Sequence, residues 1–269
     1  MTVLFGQGGG LTMWFFSLAA WEQALLSSLV MYAMTALGAA CVFFSRQPKQ
    51  GALTLLLGLS AGIMIAASFF SLLLPAIEAE GPLPNYIPAS VGFLLGGAFI
   101  VLSDLLLSRT QRGFHAIGDK RTALLYFAVT LHNVPEGMAV GVAFAAGAGM
   151  VGEGALAGVL LAVGIAVQNF PEGMCVAFPM RARGMSAAKS FLFAQGSGAV
   201  EVPACVLGAL AAAAIGSLLP WALAFSAGAM VAVVCSELIP ECFSGNKTLA
   251  SAGVVLGFCL MMVLDVALG

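Results

Sequence analysis

The sequence contains two near-copies of one motif: HNVPEG at residues 132–137 and QNFPEG at residues 168–173. In each copy a glutamate follows an imidazole or amide side chain by four residues and an asparagine by three. On a helix these spacings bring the side chains to one face. The proline before each glutamate removes a backbone N–H and should kink the helix. Two kinked helices with nitrogen and oxygen ligands inside apolar sequence predict a cation site.

The composition is that of a membrane protein. The 269 residues are 61% hydrophobic and only 8% charged, whereas soluble domains carry about a quarter charged residues. The mean hydropathy is +1.06. No polar segment is long enough for a second domain, so we expect residues 1–269 to form a single transmembrane domain. The net charge of −2 gives no support to nucleic-acid binding.

Apolar runs long enough to cross a bilayer occur eight times. They lie near residues 22–44, 51–77, 88–108, 122–147, 155–180, 190–214, 221–241 and 248–268. All ten Lys and Arg residues fall in alternate loops, which places both termini outside the cytoplasm by the positive-inside rule. We therefore predict an all-α polytopic membrane protein with about eight transmembrane helices and extracytoplasmic termini. The apolar part of residues 1–21 is too short to cross the bilayer. We expect this part of the chain to form an interfacial segment or an extra short helix.

Three carboxylates, Glu136, Glu172 and Glu201, lie inside apolar runs with no Lys or Arg at that depth to pair with them. Acidic residues within a membrane are costly and indicate a functional site. To stay ionised they need a cation, and otherwise they take up protons. A divalent ion neutralises two of them and leaves the third to a second ion or a proton. The residues thus predict pH-sensitive binding of one or two metal ions, with protonated helix contacts as the structural alternative.

The types of ligand indicate the class of metal. Imidazole, carboxylate and amide oxygen suit Zn²⁺, Fe²⁺, Mn²⁺ or Cd²⁺, whereas the all-oxygen cages of Ca²⁺ and Mg²⁺ leave no role for His132. Cys175 and Cys205 follow Glu172 and Glu201 at helical spacing. Each thiol either faces the site, which would favour Cd²⁺ or Zn²⁺, or packs as a small apolar side chain.

A polar face is also predicted on the second span, where Met64 and Ser71 share one side of the helix with Ser60, Ser68 and Pro75. A thioether above two hydroxyls could serve as an access step for a metal ion. Methionine stripes are more commonly packing, so the spacing alone leaves both interpretations open.

With the paired motifs on the fourth and fifth of eight spans and both ends outside, the chain resembles the ZIP (Zrt/Irt-like) family of divalent-metal transporters, and its GufA-type branch in particular. The resemblance covers nearly the whole chain, down to residues 261–269. It implies a 3+2+3 arrangement in which the first three and last three spans form an inverted repeat. It also implies metal movement into the cytoplasm by elevator-type alternating access, in the plasma membrane (the cytoplasmic membrane of a bacterium).

The resemblance further implies roles for individual residues. A binuclear metal centre halfway across the membrane would have a first site of His132, Glu136, Gln168 and Glu172, and a second of Asn133, Asn169 and Glu201, with Glu136 and Glu172 bridging the two ions. Met64 and Ser71 match the access path, and Glu237 and Glu241 match the release path. The chain departs from the family's common pattern at Ser236, where a His is usual, so release here would rest on carboxylates.

Two other classes of function were weighed, an intramembrane metalloenzyme and a metal-selective channel. A zinc protease needs His-Glu-x-x-His, but His132 has only Glu136 four residues on and no second His nearby. A channel favours weak repeated sites, whereas a multidentate centre suits a carrier. We expect a transporter rather than an enzyme, without a resident cofactor, whose substrate is Zn²⁺ in the first place and otherwise Cd²⁺, Fe²⁺ or Mn²⁺. Its expected partners are these ions and the lipid bilayer, with no nucleic acid and with a homodimer left open.

Overall fold

The computed structural model describes residues 10–45, 49–79, 83–109, 120–147, 153–214 and 216–268, and within these ranges it contains helices and no strand. The helices are α1 (Gly10–Ser17), α2 (Ala20–Phe43), α3 (Gln50–Glu78), α4 (Tyr86–Arg109), α5 (Lys120–Ala146), α6 (Glu153–Ala182), α7 (Ala187–Ala214), α8 (Leu219–Phe243) and α9 (Lys247–Leu268). Residues 1–9 of the N-terminal segment lie outside the described residues.

Seven of the described helices are long and apolar enough to cross a membrane, namely α2, α3, α4, α6, α7, α8 and α9. The fourth predicted span corresponds to α5, which has 27 residues and is not among the seven. Helix α1 has eight residues and is too short to cross. The prediction of an all-α polytopic membrane protein is confirmed, and the orientation of the termini stays a prediction.

The long helices pack as two groups. In the first, which we call the central bundle, α2 packs on α6 and α7, and α5 packs on the same two helices. In the second, the flanking bundle, α3 packs on α9 and α4 packs on α8. The two bundles meet where α3 contacts α6 and where α8 contacts α5. Both motif-bearing helices, α5 and α6, therefore belong to the central bundle, and each packs mainly against one helix of the flanking bundle, α8 or α3.

The contacts have the symmetry of an internal repeat. Helices α2, α3 and α4 correspond to α7, α8 and α9, and α5 corresponds to α6. With this correspondence the observed contacts match in pairs: α2–α6 with α7–α5, α3–α9 with α8–α4, and α3–α6 with α8–α5. Helices α3 and α8 also share a local feature. Each contains a π-helical segment, Ser68–Leu73 or Val234–Leu238, followed closely by Pro75 or Pro240. This pairing is what two inverted repeats produce.

Glycines set how closely the central bundle packs. A Cβ at Gly141 of α5 would overlap the backbone carbonyl of Cys205 on α7, and a Cβ at Gly173 of α6 would overlap that of Thr35 on α2. Small residues of this kind allow helix backbones to touch in a membrane protein. Because the glycines stand beside or within the motifs, the close approach brings the motif side chains against α7 and α2.

Candidate metal centre

Polar side chains from both motifs and from α7 meet in the interior of the central bundle. They are Asn133, Glu136, Gln168, Asn169, Glu172 and Glu201, each at most 4% exposed. Burying polar groups costs free energy unless they are hydrogen-bonded or bind an ion. The backbone of His132 is part of α5, while its side chain lies outside the described residues.

Amide side chains connect the buried carboxylates. The Nε2 of Gln168 donates to Glu136 Oε1 at 2.7 Å and to Asn169 Oδ1 at 3.3 Å. The Nδ2 of Asn169 donates to Glu201 Oε1 at 3.0 Å, to Glu201 Oε2 at 2.8 Å and to the Met31 carbonyl at 3.3 Å. A continuous polar network thus runs from α5 through α6 to α7.

Two amide oxygens in this network are unsatisfied. Asn133 uses its Nδ2 to donate to the Ser197 carbonyl at 2.9 Å, and its Oδ1 has no hydrogen-bond partner among the described residues. The same is true of the Oε1 of Gln168. Buried acceptors without donors are rare and ask for an explanation. Amide oxygens beside carboxylates are ligands for a divalent cation, so the donor set fits a metal ion.

Helix α7 is interrupted beside the network. Its two halves are Ala187–Gly198 and Glu201–Ala214, so Glu201 is the first residue of a half-helix inside the membrane. The free backbone N–H groups at a helix N-terminus stabilise negative charge. Half-helices that end at mid-membrane are a common way to build ion sites in transporters. Sequence reasoning placed Glu201 in a continuous span and missed this break, whose signal is Gly198 and Pro203 on either side.

Negative charge accumulates at this centre. Glu201 lies within electrostatic range of both Glu136 and Glu172, and residues 122–180 include no Lys or Arg. Like charges in a medium of low polarity repel strongly unless a cation or a proton compensates them. The arrangement therefore favours the uptake of a cation or of protons.

The carboxylates do not yet converge on one point. Among the described side chains, no three from His, Cys, Asp and Glu come close enough together to hold a single metal ion. Instead, the NH₂ groups of Gln168 and Asn169 lie against the carboxylates of Glu136 and Glu201. An ion can take their place if both amides turn, because each rotation exchanges a donor for a carbonyl oxygen.

The predicted access residues lie on the flanking bundle. Met64 is buried, and the Oγ of Ser71 donates to Asp265 Oδ1 of α9 at 2.7 Å. The other oxygen of Asp265 has no hydrogen-bond partner in the described part of the chain. Sequence reasoning gave Asp265 no role. An acid in an apolar run was the available signal, but nothing in the sequence identified Ser71 as its partner.

The predicted release residues lie at the other end of the flanking bundle. Glu237 of α8 lines a small cavity together with Ser236, Ser103 and Asp104, and Glu241 is exposed. Sequence reasoning also assigned no role to Asp104. This cavity places Ser236 of α8 near Asp104 of α4, just as Ser71 of α3 lies beside Asp265 of α9. The internal repeat predicts this correspondence.

The two cysteines beside the motifs differ in their surroundings. Cys205 donates to the Ala24 carbonyl at 3.3 Å, so its thiol is engaged with the backbone of α2. Cys175 lies within electrostatic range of Glu172, Glu237 and Glu241. Its position is thus between the buried network and the predicted release residues.

Comparison with known proteins was decisive for the family. The family described as "ZIP Zinc transporter" matches residues 103–265. The chain belongs to the ZIP zinc transporter family. Zinc transporter ZIP11 of Homo sapiens is 36% identical over 92% of this chain and 97% of its own length. Zinc transporter GufA of Myxococcus xanthus is 38% identical over 91% and 98%, and zinc transporter ZIPB of Bordetella bronchiseptica is 37% identical over 91% and 81%.

Membership of the ZIP family confirms the resemblance inferred from the two motifs. Together with the seven candidate spans, it makes the chain an integral membrane protein, and the bacterial ZIP relatives support the plasma membrane as its location. ZIP is a family of transporters rather than of enzymes. The site residues, the homodimer and the direction of transport stay predictions.

Proposed function

We propose that this chain carries Zn²⁺ across the membrane into the cytoplasm through a binuclear site in the central bundle. The proposed ligands are His132, Asn133, Glu136, Gln168, Asn169, Glu172 and Glu201. One observation carries the proposal: a buried network joins two of the three glutamates to amides of the second motif, with no Lys or Arg in residues 122–180 or 190–214. The names of the ZIP relatives support Zn²⁺ as the substrate.

The number of carboxylates supports a second ion. A single Zn²⁺ leaves one of the three carboxylates uncompensated, whereas two ions carry one positive charge more than the three carboxylates and need one further anion, such as a hydroxide formed from a zinc-bound water. Glu136 and Glu172, one from each motif, would bridge the ions. The free oxygens of Asn133 and Gln168 complete the two coordination shells without adding charge.

The distribution of polar groups supports an elevator-type mechanism. All proposed ligands lie on α5, α6 and α7 of the central bundle, whereas the access and release residues Met64, Ser71, Glu237 and Glu241 lie on α3 and α8 of the flanking bundle. A central bundle that moves along α3 and α8 would carry the ions from one set of groups to the other. Gly164 of α6 lies at the boundary of the two bundles, where a Cβ would overlap the sulfur of Met261 on α9, so the bundles approach closely there.

The groups at the two ends would set how ions enter and leave. Asp265 and Ser71 would receive Zn²⁺ from outside, with the free carboxylate oxygen of Asp265 as the first ligand. At the inner end, Asp104, Glu237 and Glu241 would accept it. Oxygen ligands alone hold Zn²⁺ less tightly than a site with imidazole, so Ser236 in place of His favours fast release. Neither catalysis nor a resident cofactor forms part of this proposal.

The experiment that tests the function is ⁶⁵Zn uptake into proteoliposomes containing the purified chain. Glu136→Gln keeps the shape of the side chain and removes one charge, so we expect uptake to fall by at least about tenfold, since lost support of a metal ligand alone costs about 10–100-fold. His132→Ala should fall likewise. Glu78→Gln removes an exposed acid outside the site and is the matched control.

Two results would contradict the proposal. Uptake by Glu136→Gln at the wild-type rate would remove the site assignment. Zinc flux that does not saturate with Zn²⁺ concentration would favour a channel over a carrier. Loading the vesicles with ⁶⁵Zn and following its loss, with the orientation determined by protease digestion of cytoplasmic loops, tests the direction.

A further inference from the structure

A second sequence repeat lies in the flanking bundle. Residues 60–64 of α3 read SAGIM, and residues 226–230 of α8 read SAGAM. Both segments stand before the π-helical turn of their helix. Their glycines have equivalent contacts, because a Cβ at Gly62 would meet the backbone of α9 and a Cβ at Gly228 would meet that of α4. Ser60 and Ser226 are therefore equivalent positions of the inverted repeat.

The two serines differ in what they bind. The Oγ of Ser60 donates to the backbone carbonyl of Gln168 at 3.3 Å. This bond crosses from the flanking bundle to the central bundle, at the first position of the second motif. Ser226 is fully buried, and its Oγ has no hydrogen-bond partner among the described residues. A buried hydroxyl without a partner costs free energy.

The repeat identifies the acceptor that Ser226 lacks. In the repeat, α3 corresponds to α8 and α6 corresponds to α5. Ser60 then corresponds to Ser226, and the carbonyl of Gln168 corresponds to that of His132, the first residue of the first motif. Each of these carbonyls is next to the one that a motif proline deprives of its N–H donor, which lies four residues before the proline, at Val167 or Leu131. Serine hydroxyls of neighbouring helices commonly satisfy backbone groups that a membrane proline disturbs.

Ser226 also lies at a suitable depth. On the same helix, Ala222 lines a cavity with Met138, and Val233 lines a cavity with Leu131. Ser226 falls between these two positions of α8, so the part of α5 that faces this stretch is the first motif. A displacement of the central bundle along α8 would bring the His132 carbonyl within reach of Ser226 and, by the same movement, withdraw the Gln168 carbonyl from Ser60.

We propose that Ser60 and Ser226 are an alternating pair of positioning residues, each of which holds the central bundle at one end of its travel. In the conformation described, Ser60 is hydrogen-bonded to the central bundle, whereas Ser226 has no partner in the described part of the chain. In the conformation open to the other side, Ser226 donates to the His132 carbonyl and Ser60 is released. This inference rests on the proposed carrier function. Because the two repeats are equivalent, a contact that one repeat makes in one conformation is expected of the other repeat in the opposite conformation.

The test measures the populations of the two conformations directly. Spin labels are introduced by bio-orthogonal chemistry at Ala188 of α7 and Ala252 of α9, two exposed positions on different bundles, which avoids the six native cysteines. Their distance distribution is recorded by pulsed electron resonance on the full chain in nanodiscs. ⁶⁵Zn uptake is measured for the same labelled variants in proteoliposomes.

The two substitutions should act in opposite directions. We compare the population of the described conformation with that of the opposite conformation. Ser60→Ala lowers this ratio by about two- to tenfold, which is the range for one net hydrogen bond. Ser226→Ala raises the same ratio by a similar factor, and Ser60→Thr, which keeps a hydroxyl, stays near wild type. Ser190→Ala is the matched control, because Ser190 is likewise buried without a partner among the described residues but lies on α7, away from the α3–α6 and α5–α8 contacts.

Ser60→Ala and Ser226→Ala shifting the ratio in the same direction, or not at all, would overturn the alternating pair. If wild-type uptake of ⁶⁵Zn is intact in that case, the proposed function stands. Failure of the unsubstituted chain to take up ⁶⁵Zn would overturn the proposed function, whatever the distances show. Circular dichroism and size-exclusion chromatography of each variant identify any that fail to fold.

Discussion

The amide nitrogen of Asn169 donates to both carboxylate oxygens of Glu201, at 3.0 and 2.8 Å. This contact joins the second motif on α6 to the half-helix of α7. The NH₂ group therefore occupies the position beside the Glu201 carboxylate where a cation could otherwise bind. In the proposed binuclear site, zinc binding would replace this contact with bonds to the metal, and Asn169 and Glu201 would together hold the second ion.

Glu201→Gln should bind one ion normally and the second weakly. The variant keeps Glu136 and Glu172, which can neutralise one Zn²⁺, but it removes the charge that the second ion needs. We expect the affinity for the second ion to fall by at least about tenfold, the lower limit for loss of groups that support a metal ligand. Isothermal titration calorimetry gives the stoichiometry, with Glu78→Gln as control. Two equally tight ions in Glu201→Gln would exclude Glu201 as a ligand.

Asp265→Asn should raise the KM for Zn²⁺ and leave kcat nearly unchanged. Asp265 lies on the flanking bundle, away from the buried network, so its charge acts on arrival of the ion. A local charge of this kind changes the association rate of a charged ligand by about tenfold or more. We expect KM to rise by at least about threefold here. Ser71→Ala, which removes the hydrogen bond to Asp265, should have a smaller effect of the same kind. A fall in kcat with constant KM would place Asp265 in a later step.

Zinc binding should release protons, and more of them at lower pH. Residues 122–180 contain no Lys or Arg to hold the buried glutamates ionised, so without metal these acids take up protons as the pH falls, and Zn²⁺ must then displace them. Zinc affinity consequently decreases on acidification. Calorimetric titrations in two buffers with different ionisation enthalpies give the number of protons released. An affinity that does not change with pH would mean that the glutamates stay ionised without metal.

Gly141→Ala should destabilise the central bundle. Its Cβ would overlap the Cys205 carbonyl, and neither backbone can give way without separating α5 from α7. Overpacking of this kind costs about 1–3 kcal/mol, which should appear as a lower midpoint of thermal unfolding in detergent. Gly97→Ala is the matched control, because its Cβ would be 3.7 Å from the Gly228 carbonyl, an ordinary contact. Equal midpoints for the two variants would contradict the close packing of α5 on α7.

Most of the spans and the residues of the buried network were readable from the sequence. Apolar run length determines which segments can cross a bilayer, and the predicted 51–77 and 221–241 compare with Gln50–Glu78 and Leu219–Phe243. The motifs were equally accessible, because helical spacing places Asn133 and Glu136 on one face whatever the helix packs against. Both properties depend on residues close together in the chain.

Tertiary structure decided the pairings. Ser71 with Asp265, Asn169 with Glu201, and Ser60 with the Gln168 carbonyl each join residues on different helices. Their partners depend on the order and depth at which helices pack, and no local spacing contains that information. The sequence by itself determined that the acids of the two motifs lie in apolar helices with no Lys or Arg at their depth. Only the packing of the two bundles decided which amides contact those acids. It also decided which of the two equivalent serines is hydrogen-bonded, because both serines stand in the same local sequence and differ only in the helix that lies against them.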